Sequence, residues 1–177
     1  VFKLKSASYI WQNLIPKKIN SMVKDNQSNY WIGTESGIYK TDKNFVSIDS
    51  FPEERKQFIA LKDKTADIKI DNDGNVFIAS YQNGLLIYVS SKNQFSEYKY
   101  DAYDLNGLPD NKTTSLFFDK SGTFWIGTKG SGLAMFSPFK YKFKHITQEP
   151  FKTTWLTNKY ILCFESNDNE IIWIGTD

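Results

Sequence analysis

A tetrapeptide written three times, a near-constant period and a turn signature ahead of the copies predict an all-β fold. The architecture they predict is a β-propeller of four-stranded antiparallel blades, three full blades plus partial blades at both ends. Trp-Ile-Gly-Thr stands at Trp31–Thr34, Trp125–Thr128 and Trp173–Thr176, with a looser copy at Phe77–Ser80. Measured at the closing hydroxyl residue, Thr34 to Ser80 is 46 positions, while Ser80 to Thr128 and Thr128 to Thr176 are 48 each.

The elements follow in order. Residues 1–12 read as the outer strands of a preceding blade, 18–50, 66–99 and 113–146 as complete blades, and 159–177 as the inner strands of a further one. In two blades an Asp-x-x-Gly turn, Asp71–Gly74 and Asp119–Gly122, joins an apolar first strand to the tetrapeptide strand. Asp bonds the backbone two residues on and Gly accepts positive φ, so the pair closes a hairpin. The first copy keeps Asp25 but has Ser28 in the Gly position, and the last reads Asn167-Asp168-Asn169-Glu170, so these two turns are weaker matches. Beyond each of the first three copies, Gly37, Gly84 and Gly132 precede the apolar start of a third strand. More polar fourth strands are expected at Phe45–Ile48, Gln94–Lys99 and Tyr141–Ile146.

A blade has two apolar faces and cannot bury them alone, so neighbours must stack face to face. Trp31, Phe77, Trp125 and Trp173 are therefore expected in the gaps between blades, with Gly33, Gly127 and Gly175 and the hydroxyls of Thr34, Thr128 and Thr176 as structural parts of the same repeat.

On these segments, Asp25–Ile38, Asp71–Leu85, Asp119–Leu133 and Asn167–Thr176, and on the lead-in Gly107-Leu108-Pro109-Asp110-Asn111, the chain resembles the two-component regulator propeller repeat family. That resemblance implies an extracytoplasmic, periplasmic sensor domain of a hybrid two-component histidine kinase from saccharide-using gut bacteria. The partners it implies are an oligosaccharide ligand and the remaining blades and signalling domains of a parent chain. The sequence is then expected to be a piece of a longer protein. The alternatives are a ring closed by pairing residues 1–12 with 159–177, and two half-rings paired as a homodimer.

Composition supports a folded body and excludes several function classes. Apolar residues make up 40% and aromatics 16%, ample for sheets packed on sheets. A net charge of +2, with Arg55 the lone Arg, implies neither nucleic acid nor an anionic membrane as partner. No apolar run reaches the ~20 residues that span a bilayer, so no direct membrane insertion is expected in this segment.

Catalytic and metal chemistry find little support, and no cofactor is expected. Cys163, the single Cys, falls in an apolar run and is expected to be a buried structural thiol. His145, the single His, sits in an alternating outer strand rather than at a loop tip. Asp71–Asn75 superficially has the oxygen spacing of a calcium loop, but sibling turns form without that ligand set and no bidentate Glu follows. Phe139, Tyr141 and Phe143 alternate with Lys140, Lys142 and Lys144, which reads as an outer edge strand whose lysines block edge pairing, with an acidic-glycan site as the sharper alternative.

Topology says where a ligand would bind. The loop joining strands two and three shares its rim with the connection to the next blade, so both crowd the mouth of the central channel. The candidate ligand-binding residues are accordingly Tyr81, Gln82, Asn83, Tyr103, Asp104, Asn106, Lys129 and Trp155. Their rings offer faces to sugars and their amides and carboxylates offer partners to hydroxyls. The competing reading is that Tyr103 and Trp155 only anchor their loops. A propeller-borne glycan hydrolase or lyase needs two suitably spaced carboxylates, which no spacing here singles out. A non-catalytic protein-interaction propeller is the other alternative.

Overall fold

The computed structural model describes residues 15–45, 61–104, 106–136, 156, 158–166 and 171–177 in full, and the backbone alone at 2–3, 12–13, 48–49, 137 and 142–146. Strands β1 (Phe2–Lys3) and β2 (Gln12–Asn13) form a two-stranded ladder. β3 (Ile19–Lys24), β4 (Tyr30–Thr34), β5 (Gly37–Thr41) and β6 (Ile48–Asp49) make the first four-stranded antiparallel sheet, in chain order. β7 (Thr65–Ile70), β8 (Val76–Ser80), β9 (Gly84–Val89) and β10 (Gln94–Tyr98) make the second. β11 (Thr113–Phe118), β12 (Phe124–Thr128), β13 (Leu133–Ser137) and β14 (Lys142–Ile146) make the third, with β14 outermost. β15 (Ile161–Ser166) pairs with β16 (Ile172–Thr176). Among the described residues the β15–β16 and β1–β2 ladders are separate two-stranded sheets.

The hairpin ahead of each tetrapeptide is held by its Asp. Oδ1 of Asp71 accepts the amides of Asp73 and Asn75 at 3.0 and 2.8 Å, and Oδ2 takes the Asn75 side chain at 2.8 Å. Those oxygens close the turn. In blade one Asp25 makes the same turn, and Ser28 adopts the left-handed backbone, φ 68°, that Gly74 and Gly122 adopt at 80°. A weak sequence match thus has the same geometry. Turn Asn167–Glu170 lies outside the described residues.

The Trp is tied to this turn. Trp31 Nε1 donates to Asp25 Oδ2 at 3.1 Å, and Trp125 Nε1 to Asp119 Oδ2 at 2.9 Å. So held, Trp31 is fully buried in the gap to blade two, its ring centroid 5.0 Å from that of Tyr88 and packed with Val76 and Leu86. Truncating such a residue to Ala costs about 3–5 kcal/mol. Trp125 packs toward Ile161 and Phe164 of blade four. Phe77 has no N–H to offer its Asp, and the next gap is filled by Phe77, Phe118 and Phe124, with centroids 4.5–5.0 Å apart. A cleft of about 500 Å³ lies beside this cluster, against about 100 Å³ beside Trp31. Trp173 is 50% exposed, since no described residue covers its face.

Gly in the tetrapeptide answers to the same stacking. A Cβ at Gly127 would lie 2.3 Å from Ser115 Oγ and 2.7 Å from Ile161 Cγ2 of the next blade, and at Gly33 2.5 Å from Thr65 Cγ2. The closing hydroxyl latches the following turn: Thr34 Oγ1 donates to the Gly37 carbonyl at 2.8 Å, and Thr128 Oγ1 to that of Gly132 at 2.7 Å.

Two expectations need correction. The outer strand of blade one is found at Ile48–Asp49, and Phe45 instead sits in a turn with φ 56°, stacked on Tyr30 at 5.0 Å. Cys163 is exposed rather than buried. It occupies the strand position of Ser21, Asp67 and Ser115, on the channel side, and among the described residues no further sheet covers it.

Partial burial alone would raise the Asp119 carboxyl. Hydrogen bonds from the Ser121 hydroxyl, the Trp125 indole and the Thr123 and Ser121 amides outweigh it and hold the group below the ordinary 3.8. A depressed folded-state value contributes stability that is present above the unfolded value and lost as pH falls. Asp119→Asn is expected to lower stability at neutral pH, with the gap to the parent narrowing below about pH 4. Urea unfolding across that range checks this, and a gap independent of pH contradicts it.

Candidate functional site at the channel mouth

The first strands of successive sheets, β3, β7, β11 and β15, pack side by side and line the channel. An inner strand has no partner strand on its channel edge, so its backbone groups need other partners. Side chains of the neighbouring blades supply them. Asn20 Nδ2 donates to the Thr65 carbonyl at 2.9 Å, and Thr114 Oγ1 to that of Ile161 at 2.7 Å. Ser21 Oγ accepts the Ile68 amide at 3.2 Å, and Asp67 Oδ2 accepts that of Leu116 at 3.0 Å. Asp67 Oδ1 also takes the Ser21 hydroxyl at 3.0 Å, so one carboxylate bridges three blades. Ser115 Oγ, at the next joint, is buried with no partner.

At the rim a second bond repeats. The amides of Glu35, Tyr81, Lys129 and Asp177 donate to the carbonyls of Lys18, Lys64, Lys112 and Tyr160, at 3.3, 2.9, 2.9 and 3.1 Å. Each blade therefore presents a fixed pair of side chains at the mouth. In blade one the pair is an ion pair, Lys18 to Glu35 at 3.3 Å. In blade two the Lys64 ammonium stands 4.6 Å from the Tyr81 ring centroid. Lys129 reaches across from blade three, its ammonium 4.9 Å from the same centroid and hydrogen-bonded to the Tyr81 hydroxyl. That hydrogen bond, with the nearby phenols of Tyr81 and Tyr160, raises the Lys129 ammonium above the ordinary 10.5, so it is charged at neutral pH.

Between these pairs lies a cleft of about 460 Å³. Its floor is Ile19, Ala66, Ile161 and Leu162, and its polar lining is Asn20, Lys64, Tyr81, Thr114, Lys129 and Tyr160. Thr114 spends its hydroxyl proton on a neighbouring carbonyl and keeps its acceptor lone pairs, and Asn20 spends one of its two amide hydrogens and keeps an acceptor oxygen. The arrangement combines cations, acceptors and a half-exposed ring, Tyr160, at 42%.

Of the residues picked from the sequence, the structure brings Tyr81 and Lys129 to this cleft. Tyr81 is not a free platform, because two lysines occupy its ring. Gln82 and Asn83 hold the turn: Asp63 Oδ2 accepts the Gln82 amide at 2.8 Å, the Asn83 side chain at 3.1 Å and the Ser80 hydroxyl at 2.6 Å. Tyr103 is 97% exposed, so it does not anchor its loop. Asp104 Oδ1 accepts the Asn106 amide at 3.0 Å in that loop, and neither residue lines the cleft. Trp155 lies outside the described residues, as do Phe139–Tyr141; the His145 side chain does too.

Sequence reasoning missed Lys64, Tyr160, Asn20, Thr114 and Asp63. A signal for the first was present: Lys18, Lys64, Lys112 and Tyr160 recur at the spacings of the tetrapeptide, 46, 48 and 48. Among the described residues no group of three or more His, Cys, Asp or Glu side chains could hold a metal ion, and no helix is long and apolar enough to cross a membrane.

The family model described as two component regulator propeller matches residues 13–36 and 107–130, each ending at the rim turn of a blade. Those two stretches are similar to the two-component regulator propeller repeat. Solved structures agree on the fold. The extracellular domain of BT3049, described as a hybrid two component system of B. thetaiotaomicron, superposes with a TM-score of 0.76 at 20% identity, over 90% of this chain and 22% of that one. The extracellular domain of BT4673, described as a hybrid two component system from the same organism, gives 0.53 at 18%, over 97% of this chain and 27% of that one. Virginiamycin B lyase from Staphylococcus aureus gives 0.63 at 14%, over 90% and 49%. The repeats thus span about a quarter of the length of those two extracellular domains. None of the curated proteins matches the sequence.

Asp63 is the residue on which the rim turn of blade two depends. In Asp63→Ala the Gln82 amide is expected to lose protection from hydrogen exchange by about tenfold or more, with strands β7 to β9 little changed. Unchanged Gln82 exchange would show that the turn is held by other contacts.

Proposed function

We propose that this chain is part of the ligand-sensing propeller of a hybrid two-component sensor, exposed to the periplasm, which binds an oligosaccharide at the channel mouth and signals by conformational change. The observation that carries this reading is the cleft itself, which is walled by inner strands of several blades at once. A ligand there touches groups on blades one to four, so it favours whichever arrangement of the blades best fits it. Only that difference in affinity can shift a conformational equilibrium.

The chemistry suits a sugar. Tyr160 offers a ring face, Asn20 and Thr114 offer acceptors to hydroxyls, and the lysines offer donors. The propeller repeats and the likeness to extracellular sensor domains support the compartment and the signalling role. Binding is favoured over turnover because no carboxylate and no His line the cleft among the described residues, whereas glycan hydrolysis uses a pair of carboxylates. The lyase shares the propeller fold, and at 14% identity it lends nothing more.

The test is a glycan-array and calorimetric screen of the full protein, with hydrogen exchange in the free and bound states. An oligosaccharide should bind, protect the rim amides of Tyr81 and Lys129, and bind several-fold more weakly to Tyr160→Ala. Absence of glycan binding, or protection confined to regions away from the mouth, would defeat the proposal.

A further inference from the structure

We propose that the mouth cleft selects a saccharide carrying a negative charge, a uronate carboxylate or a sulfate ester, held by Lys64 and Lys129. The inference rests on the saccharide-sensing reading above and names the class of ligand.

The argument is one of local charge. The chain as a whole is nearly balanced, with 22 basic and 20 acidic residues. The cleft lining is not balanced: it has two lysines and, among the described residues, no carboxylate. Among the described residues the carboxylates near the mouth are engaged elsewhere and stand outside the lining. Glu35 is paired with Lys18 at 3.3 Å. Asp63 takes three hydrogen bonds from its own turn. Asp110 Oδ1 accepts the Lys112 amide at 2.9 Å. Asp177 stands at the fourth rim position, outside the cleft lining.

Both ammonium groups converge on one ring, Tyr81, from different blades. Two like charges gathered over a neutral phenol repel each other, and an anion seated between them relieves that repulsion. An ammonium has three donors. Lys129 spends one on the Tyr81 hydroxyl, which fixes its position and leaves the others for ligand. Hydrogen bonds from a charged donor to a charged acceptor are roughly twice as strong as neutral ones. A bare anion would leave Tyr160, Asn20 and Thr114 unused, which is why the charge is placed on a saccharide. Because the two lysines come from separate blades, the anion also ties blade two to blade three, giving the binding event a direct grip on blade geometry.

The experiment titrates the full protein with matched pairs: oligogalacturonates and their methyl esters, sulfated disaccharides and their desulfated forms, with inorganic sulfate alongside. Charged members are expected to bind at least about tenfold more tightly than their neutral partners, with a preference that weakens as salt is raised. Lys64→Met and Lys129→Met should each abolish most of that preference while leaving the circular dichroism spectrum unchanged, and Lys129→Arg should restore part of it. The uronate and sulfate arms distinguish the two sources of charge. Equal binding of charged and neutral members, or a preference untouched by both lysine variants, overturns this inference and leaves saccharide sensing standing. Binding of inorganic sulfate with no preference among glycans overturns it as well. Failure of every glycan to bind overturns both readings.

Discussion

A four-stranded sheet with apolar side chains on both faces and an open inner edge has no stable existence alone in water. Everything distinctive in this chain answers that constraint. Trp31 and Trp125 fill gaps, Asp25 and Asp119 hold their indoles in place, and Gly33 and Gly127 let the next inner strand approach. At the inner edge the answer is polar. Asn20, Ser21, Asp67 and Thr114 satisfy backbone groups of the blade beside them, as a neighbouring strand would. Face packing supplies most of the free energy, and the edge bonds set the register in which the faces meet.

The candidate site is a by-product of that register. Once each inner strand is fixed against the next, the residue before it and the residue after the tetrapeptide are brought to one rim, joined by the same backbone bond in the four sheets that carry the tetrapeptide or its looser copy. The repeat therefore fixes where rim side chains stand and leaves their identity free. Blade one uses this freedom for a neutral ion pair, and blades two and three use it for Tyr81 and its two lysines. A fold that repeats itself can in this way carry a site that does not repeat.

Different parts of this were legible to different degrees. Trp31, Phe77 and Trp125 could be placed between blades because the pattern is local and the need to bury a face is general. The Asp-x-x-Gly turns were legible for the same reason, and Ser28 shows that even a departure from the pattern preserved the geometry. Rim topology pointed to Tyr81 and Lys129, which line the cleft. It gave no means of separating residues that face the cleft from those that close turns, such as Asn83, or face solvent, such as Tyr103. Asp63 and Asp67 act on groups 17 to 49 positions away, and Cys163 is exposed because of what lies beside its strand rather than what lies within it. Such partners become visible only when blades are set side by side.

The central claim is that side chains crossing the inner edges keep the blades in register, with Asp67 joining three of them. Hydrogen exchange of the Leu116 amide in Asp67→Ala tests it most directly. The account predicts that Leu116, in blade three, loses protection by about tenfold or more although the substitution is in blade two. Unchanged protection of Leu116, with any effect confined to blade two, would contradict it.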